Sequence, residues 1–526
     1  MATPNQKLAS SLRRLRTLQR HGRRVFQSED LTRIHRQRLL DTGFLQEAVK
    51  GWLISASPSA RAGDSTPWYA SFWEFCARYC SDRFGSRWHL SPEQSTMLLA
   101  ENTVVPTQVI VHSPAGTNNA ITLPFSTSLY DLRTQMPPAA DLVTRNGLRL
   151  FSPTAALIRL PESFFRRHPL ETQLLLTTVR DASDILIPLL TGGHSAIAGR
   201  LAGAFRRMGR ADIAGEIVAA MKSAGYDVRE TDPFEPSQIL SAHPITAPPI
   251  VGRLQTLWES SRATVLKIFP RAPGLPSNRA AYLDLVDETY KSDAYHSLSI
   301  EGYRVTPELI MRVASGIWDP ATQEADKSSR DALAARGYWQ AFQKVKASVA
   351  KIIEGANPGA LVRTAHRDWY RELFQPCVAV GLIPPSALAG YRTDAVYLRT
   401  SRYVPPRWES VRDAMPALFD LLEREPEPAV RAVLGHWLLG YIHPYPDGNG
   451  RLARFLMNAM LASGGYKWTV IRVDDRAEYL AALDRASIDA DIAPFAKFLA
   501  VRVRLAARKR LASKKATAKT KAKKKR

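Results

Sequence analysis

Residues 441–455 read YIHPYPDGNGRLARF. A histidine, a carboxylate, a Gly-Asn-Gly triplet and two arginines share this short span. The preceding PAVRAVLGHWLLGYI (428–442) is apolar at helical spacing and predicts a helix that ends at His443 and Pro444. After the loop PYPDGNG a second helix is expected from near Arg451, with Leu452, Phe455, Leu456 and Met457 on its apolar side. Gly448, Asn449 and Gly450 then stand at a helix N-terminus. Backbone N–H groups are unpaired there, the helix dipole favours negative charge, and glycine lets a phosphate come close. Arg451 and Arg454, three apart, are placed toward the same anion. Asp447 is a carboxylate suited to a hard cation such as Mg²⁺, and His443 is placed to take a proton from an incoming hydroxyl. Such parts suit phosphoryl or nucleotidyl transfer, in which positioning and charge neutralisation do most of the work. A lone Asp-Gly or Asn-Gly pair is ordinary turn chemistry; the whole set is not.

The chain of 526 residues is too long for one core, so several domains are expected. An apolar content of 45% and an aromatic content of 9% belong to folded globular protein. No apolar run is long enough to span a bilayer, so no membrane partner is expected. The N-terminal MATPNQKLASSLRRLRTLQRHGRR lacks the apolar region of a secretory signal. It fits a transit peptide or a nucleic-acid-facing arm equally well. Cys76, Cys80 and Cys377 are too few for a disulfide framework, which points to a reducing, cytoplasmic setting with nucleoid association open. Cys76 and Cys80, four apart, read as buried core thiols rather than a zinc site. The formal charge is +23, and residues 506–526 hold eleven cations and no acid. That stretch is expected to be a disordered basic tail, either solubilising or binding DNA non-specifically.

The expected organisation is multidomain and mainly α. Residues 1–85 read as a winged-helix-like DNA-binding region: in SEDLTRIHRQRLLDTGFLQEAVKGWLIS, Ser28 caps a first helix with Leu31 and Ile34 inward. Leu39 and Leu40 lie in a second helix, Gly43 ends it, and GWLIS forms a wing strand. Arg33, Arg36 and Arg38 are left outside as candidate DNA contacts; a small helical domain with a polar face would look the same. Residues 86–230 read as a mixed β/α region, with TVVPTQVIVHS and NAITLPF forming a hairpin about SPAGTNN. A proline-rich linker is expected at 231–252 and an all-α domain at 253–505. Within the latter, YRTDAVYLRTSRYVPP alternates like a small β-hairpin.

The segment HPYPDGNGRLAR closely resembles the Fic-family signature, His-Pro-aromatic-any-Asp/Glu-Gly-Asn-Gly-Arg-any-any-Arg, with Tyr445 where Phe is commonest. YRTDAVYLRTSRYVPP is similar to that family's flap, which aligns a target segment by strand addition. RAEYLAALDRAS resembles a closing helix, in which Tyr479 matches the tyrosine beside the adenine. The resemblance implies a protein adenylyltransferase (an AMPylating enzyme) with ATP as substrate and Mg²⁺ at Asp447. Gly448, Asn449, Gly450, Arg451 and Arg454 hold the nucleotide, and His443 deprotonates a Ser, Thr or Tyr of a target protein. Upstream, HSLSIEGYRVTPELI places Ser297 and Glu301-Gly302 as in the family's inhibitory helix, with Glu301 forked onto Arg454. The first 240 residues are similar in arrangement to AbiEi-type antitoxins, which implies DNA contact and a toxin–antitoxin setting. A homodimer, a nucleotide-sensing transcription regulator and a de-adenylylating hydrolase remain open alternatives.

Overall fold

The structure, a computed structural model, describes residues 3–58, 64–234, 248–316 and 330–523, without the side chains of His21 and of residues 509–523. Most of the expected 231–252 linker lies outside the described residues. The chain divides into two compact units, Met1–Thr256 with Asp394–Pro405, and Leu257–Thr393 with Pro406–Arg526.

The first unit opens with α1 (Pro4–Leu18), β1 (Val25–Gln27), α2 (Arg33–Asp41), β2 (Leu45–Val49) and β3 (Trp52–Ser55). The strands form an antiparallel sheet in the order β1-β3-β2. Only one α-helix forms where two were expected. Ser28 lies in a 3-10 turn, and Thr32 caps α2 by accepting the His35 N–H. Leu31 and Leu39 are buried, but Ile34 is 68% exposed. At about 100° per residue Ile34 points about 140° away from Leu39, so a cap at Thr32 sends it to solvent.

Next come α3 (Thr66–Phe84), β4 (His89–Leu90), α4 (Pro92–Leu99), β5 (Gln108–Ser113), β6 (Asn119–Leu123) and β7 (Thr127–Arg133). The expected hairpin between 103–113 and 119–125 does not form. The sheet order is β4-β5-β7-β6, with β7 parallel to β5 and antiparallel to β6. Buried Asp131 on β7 explains the insertion. Its carboxylate accepts the N–H groups of Thr117 and Asn119, so the connecting loop folds over β7 instead of turning tightly. A hairpin follows, β8 (Leu142–Arg145) with β9 (Leu148–Phe151). Trp68, Phe72, Phe75, Cys76 and Cys80 on α3 form one core with Trp52 and Leu129. Burial pushes both thiols up, as inert core cysteines require.

Six short helices pack a second core around Leu157, Leu175, Ile185, Leu201, Phe205 and Ile217: α5 (Pro153–Arg159), α6 (Glu162–Arg167), α7 (Pro169–Thr177), α8 (Ser183–Gly192), α9 (Ser195–Arg207) and α10 (Ala211–Ser223). Helix α11 (Pro249–Ile268) follows.

The described residues of the second unit are helical apart from loops and short 3-10 turns: α12 (Arg279–Ile300), α13 (Pro307–Ala314), α14 (Arg330–Ile353), α15 (Pro358–Ala379), α16 (Trp408–Arg424), α17 (Pro428–Ile442), α18 (Asn449–Ala462), α19 (Arg476–Asp489) and α20 (Ala493–Lys523). Helices α17 and α18 are buried on nearly every side, which makes them the centre of the unit. Helix α20 continues to Lys523 where an unfolded tail was expected. Ala, Lys and Arg are strong helix formers, and residues 506–523 contain neither Gly nor Pro. The expected flap hairpin is absent. Residues 394–405 contain no strand: the Ser401 N–H turns back to Leu398 O, and residues 400, 402 and 404 bond Thr66, Val105 and Thr103.

Gly337 on α14 sets how closely α15 approaches: a Cβ there would stand 2.1 Å from the Leu373 carbonyl oxygen. Gly337→Ala is expected to destabilise the second unit by about 1–3 kcal/mol, read as a lowered thermal midpoint. An unchanged midpoint would show that the two helices part without cost.

Candidate active site

Helix α17 delivers His443 to the site. Its last residue is followed by His443 in the left-handed conformation (φ 50°), which ends the helix, while the His443 N–H still bonds Leu439 O at 2.9 Å. The ring Nδ1 lies 3.2 Å from Gly440 O. A carbonyl can only accept, so Nδ1 carries the proton and Nε2 keeps its lone pair. Desolvation and nearby Arg392 hold the imidazole down to about 4, against the opposing pull of Gly440, Glu301 and Asp447. It is therefore neutral near pH 7, as a base must be.

Arg392 fixes the backbone around that base. It is 4% exposed; its Nε donates to His443 O at 2.8 Å, its N–H donates to Pro444 O at 2.9 Å, and its Nη2 donates to Pro406 O.

The loop from Pro444 to Gly448 is pinned by Asn449. Its Oδ1 accepts the Tyr445 N–H at 3.0 Å and its Nδ2 donates to Tyr445 O at 2.7 Å. The Tyr445 ring stacks on Tyr370 with centroids 3.8 Å apart. Gly448 caps α18 with φ 83°, and a Cβ there would stand 2.8 Å from the Phe374 ring. Both facts demand glycine. The first N–H groups of α18 have no intrahelical acceptor, the arrangement that suits an anion. Arg451 is 1% exposed and lies over the rings of Tyr303 (5.3 Å) and Phe374 (5.0 Å). Its Nε has no hydrogen-bond partner among the described residues.

Asp447 stands open to solvent. One carboxylate oxygen accepts the Gly448 N–H at 2.6 Å and the other lies 3.3 Å from Arg451 Nη2. Among the described residues no three His, Cys, Asp or Glu side chains gather into a protein-only metal cage. A single exposed carboxylate beside an anion cradle does fit Mg²⁺, which uses few protein ligands when substrate phosphates complete its shell.

Helix α12 brings a carboxylate to the same place. Arg454 is buried; its Nε donates to Ser297 Oγ at 2.8 Å, and its Nη2 donates to Ser297 O at 3.1 Å and to Glu301 Oε1 at 2.6 Å. Burial opposes the charge of Glu301, but Arg454 and Arg451 outweigh it and hold the carboxyl below its usual range. Burial likewise opposes the charge on Arg454, and Glu301 again outweighs it, raising the guanidinium further. A Cβ at Gly450 would stand 2.3 Å from Glu301 Oε1, so the carboxylate lies directly over the start of α18. It occupies the ground an anion would take.

A resident anion over a phosphate-type cradle, beside a neutral histidine, frames the comparison with known proteins. Residues 360–461 match the Fic/DOC family. The chain is 32% identical over 233 residues to "Protein adenylyltransferase Fic" of Nematostella vectensis, covering 44% of this chain and 49% of that protein. It is 34% identical over 125 residues to "Protein adenylyltransferase fic-1" of Caenorhabditis elegans, covering 23% and 24%. It thus spans half or less of the length of these curated relatives. A solved structure of Fic-1 from C. elegans overlaps 69% of this chain and 89% of its own, at 19% identity and a TM-score of 0.38.

Between the segment that matches the Fic/DOC family and the end of α12, the structure brings together His443, Asp447, Gly448, Asn449, Gly450, Arg451, Arg454, Ser297 and Glu301. Tyr479 is not presented to the site. It is 2% exposed, its hydroxyl bonds His436 Nε2 at 2.8 Å, and its ring packs against Phe495 and Phe498. It backs Arg454 rather than offering a face to a base. Arg33 lies exposed on α2 of the first unit, whereas Arg36 Nη1 bonds Ser28 O and Arg38 Nη1 bonds Lys7 O and Ser11 Oγ. Sequence reasoning missed Arg392, Tyr303, Phe374 and Asp293. Asp293, pushed up to about 6 by burial, accepts a hydrogen bond from Tyr338 one turn before Ser297. The four-residue step from Asp293 to Ser297 was the only available signal.

A base whose proton affinity is depressed loses function only in acid. Any rate that depends on neutral His443 is expected to stay flat from about pH 8 to pH 6 and to fall about tenfold per unit below about pH 4. A pH–rate profile that already falls between pH 7 and 6 would contradict this environment for His443.

Proposed function

We propose that the chain is a protein adenylyltransferase that moves AMP from ATP to a hydroxyl side chain of a protein and is held back by its own Glu301. The observation that carries the reading is the Glu301–Arg454 contact over the first turns of α18, five residues past Asn449, where that helix starts after His443 and its loop. The family match at 360–461 and the names of the curated relatives support the same chemistry.

In this reading the N–H groups at the start of α18 and Arg451 bind phosphate oxygens. Asp447 would hold Mg²⁺, which supplies charge neutralisation to the phosphates when bound. Nε2 of His443 accepts the proton of the target hydroxyl. That oxygen forms a bond to the α-phosphorus, the bond to the pyrophosphate oxygen breaks, and pyrophosphate leaves with the electron pair. Arg392, by holding the His443 carbonyl, keeps the imidazole in place. Glu301 occupies the side of the cradle that a terminal phosphate would take, and Arg454 cannot serve both anions.

A charge-assisted, largely buried contact contributes about 1.5–3 kcal/mol, so Glu301→Gly is expected to raise labelling of protein by radioactive ATP about ten- to a hundredfold. Adding Arg454→Ala should cancel the gain, and adding His443→Ala should abolish labelling while ATP still binds. A Glu301→Gly protein no more active than the native one would remove the inhibitory role.

A second reading concerns the first unit. Helix α2 followed by the β2–β3 hairpin supports a winged-helix-like module, and the exposed Arg33 on that helix supports DNA contact. Arg36 and Arg38, already bonded within the module, contribute less. Arg33→Ala in the full chain is expected to weaken a mobility shift on DNA upstream of its own gene and to lower the salt slope by about one. Equal retardation of unrelated DNA with an unchanged slope would assign the binding to the basic C-terminal stretch.

A further inference from the structure

Asp293 is a buried acid that the transfer chemistry does not use. It stands on α12 four residues before Ser297 and eight before Glu301, which caps the end of that helix, so the three lie along one face. Asp293 is 4% exposed and Ser297 1%. A lone carboxylate at that depth is unfavourable, and it stays charged only where donors or a cation offset its lost hydration. Both are present. The Tyr338 hydroxyl on α14 donates to Asp293 Oδ2 at 2.6 Å. Burial pushes the Asp293 carboxyl up to about 6, against the opposing pull of Tyr338, Trp468 and Arg454. It is ionised at pH 8.

The connection to Arg454 runs through two hydroxyls. Arg454 Nε donates to Ser297 Oγ at 2.8 Å, which leaves the Ser297 hydrogen for another acceptor. Tyr338 has given its own hydrogen to Asp293. Burial and Asp293 push the Tyr338 phenol up while Ser297 and Arg454 oppose them, the effect of a hydroxyl hydrogen and a cation turned toward the phenol oxygen. The Tyr338 ring also packs on Phe455, the residue after Arg454, with centroids 4.9 Å apart. All of these residues belong to the second unit. Arg454 therefore faces two carboxylates from one helix. Glu301 touches it directly, and its side chain is 29% exposed. Asp293 lies deeper, behind Tyr338 and Ser297. The outer acid can exchange with a ligand, whereas the inner one is fixed.

We propose that Asp293 is a positioning residue that acts through Arg454: as the fixed counter-ion it keeps the guanidinium oriented and compensated when Glu301 leaves, and so sets how tightly Arg454 holds whichever anion is on it. This rests on the transfer reading above and adds to it the residue that sets the strength of the inhibition. A cation shared by two anions holds each less tightly than it would hold one alone. Neutralising Asp293 should tighten Arg454 on Glu301 in the native chain. Once Glu301 is gone, the same change should tighten Arg454 on a terminal phosphate. The two backgrounds therefore respond in opposite directions, which loosened packing would not produce.

The test uses the full chain at pH 8 with Asp293→Asn, which keeps the shape and an acceptor for Tyr338 while removing the charge. In the otherwise native chain, labelling of protein by radioactive ATP is expected to fall about tenfold. In the Glu301→Gly chain, the ratio of ATP to ADP affinity measured by calorimetry is expected to rise about tenfold. Tyr338→Phe should move both quantities the same way, because a buried carboxylate deprived of its donor becomes neutral. That variant decides the matter if thermal unfolding shows that Asp293→Asn does not fold. An unchanged affinity ratio would overturn the proposal, as would a lower preference for ATP in Glu301→Gly or unchanged labelling by the otherwise native chain. A Glu301→Gly protein that binds ATP but labels nothing would defeat the transfer reading instead, and the affinity ratio alone then decides the role of Asp293.

Discussion

The buried charge of Arg454 constrains everything around it. A guanidinium at 3% exposure must be surrounded by acceptors, because an unpaired charge there would cost several kcal/mol. Ser297 supplies its hydroxyl and its carbonyl, and Glu301 supplies a carboxylate. All three acceptors come from the end of one helix, α12, so satisfying Arg454 docks that helix on α18. The same contact places an acid over the anion cradle. In the proposed reading, docking and obstruction are thus one interaction, and any ligand that claims Arg454 must offer it an anion at least as good.

The site depends on two further devices that act on backbone rather than on reacting groups. Asn449 ties both polar groups of the Tyr445 peptide, which fixes the turn into α18. Arg392 ties His443 and Pro444 from outside the motif. Each leaves the reacting side chain free while removing freedom from the chain that carries it, which is how a base comes to stand ready without being bonded away.

The signature residues were legible because their chemistry is compact in sequence: a base, an acid, two glycines and two arginines within one loop and one helical turn. Ser297 and Glu301 were legible by the same local logic, one helical turn apart. The failures have a common cause. Ile34, the 103–125 hairpin and the 391–406 hairpin each depend on partners distant in the chain: the Thr32 cap and the packing of Leu39, the insertion of β7 held by Asp131, and the capture of residues 400–404 by Thr66, Thr103 and Val105. Tyr479 failed differently, since its position along the helix was right for the site but His436 and two phenylalanines bury it. Arg392 carried no local signal, because its partners are main-chain carbonyls that any residue could supply.

The most direct test of the account is whether Glu301 and a terminal phosphate compete for Arg454. Calorimetric affinities for ATP and ADP, measured on the native chain and on Glu301→Gly, isolate that competition, since the two nucleotides differ by the terminal phosphate alone. The account expects ATP and ADP to bind the native chain with similar affinity, and the preference for ATP to rise at least about tenfold in Glu301→Gly. An ATP-to-ADP ratio that is the same in both proteins would contradict it.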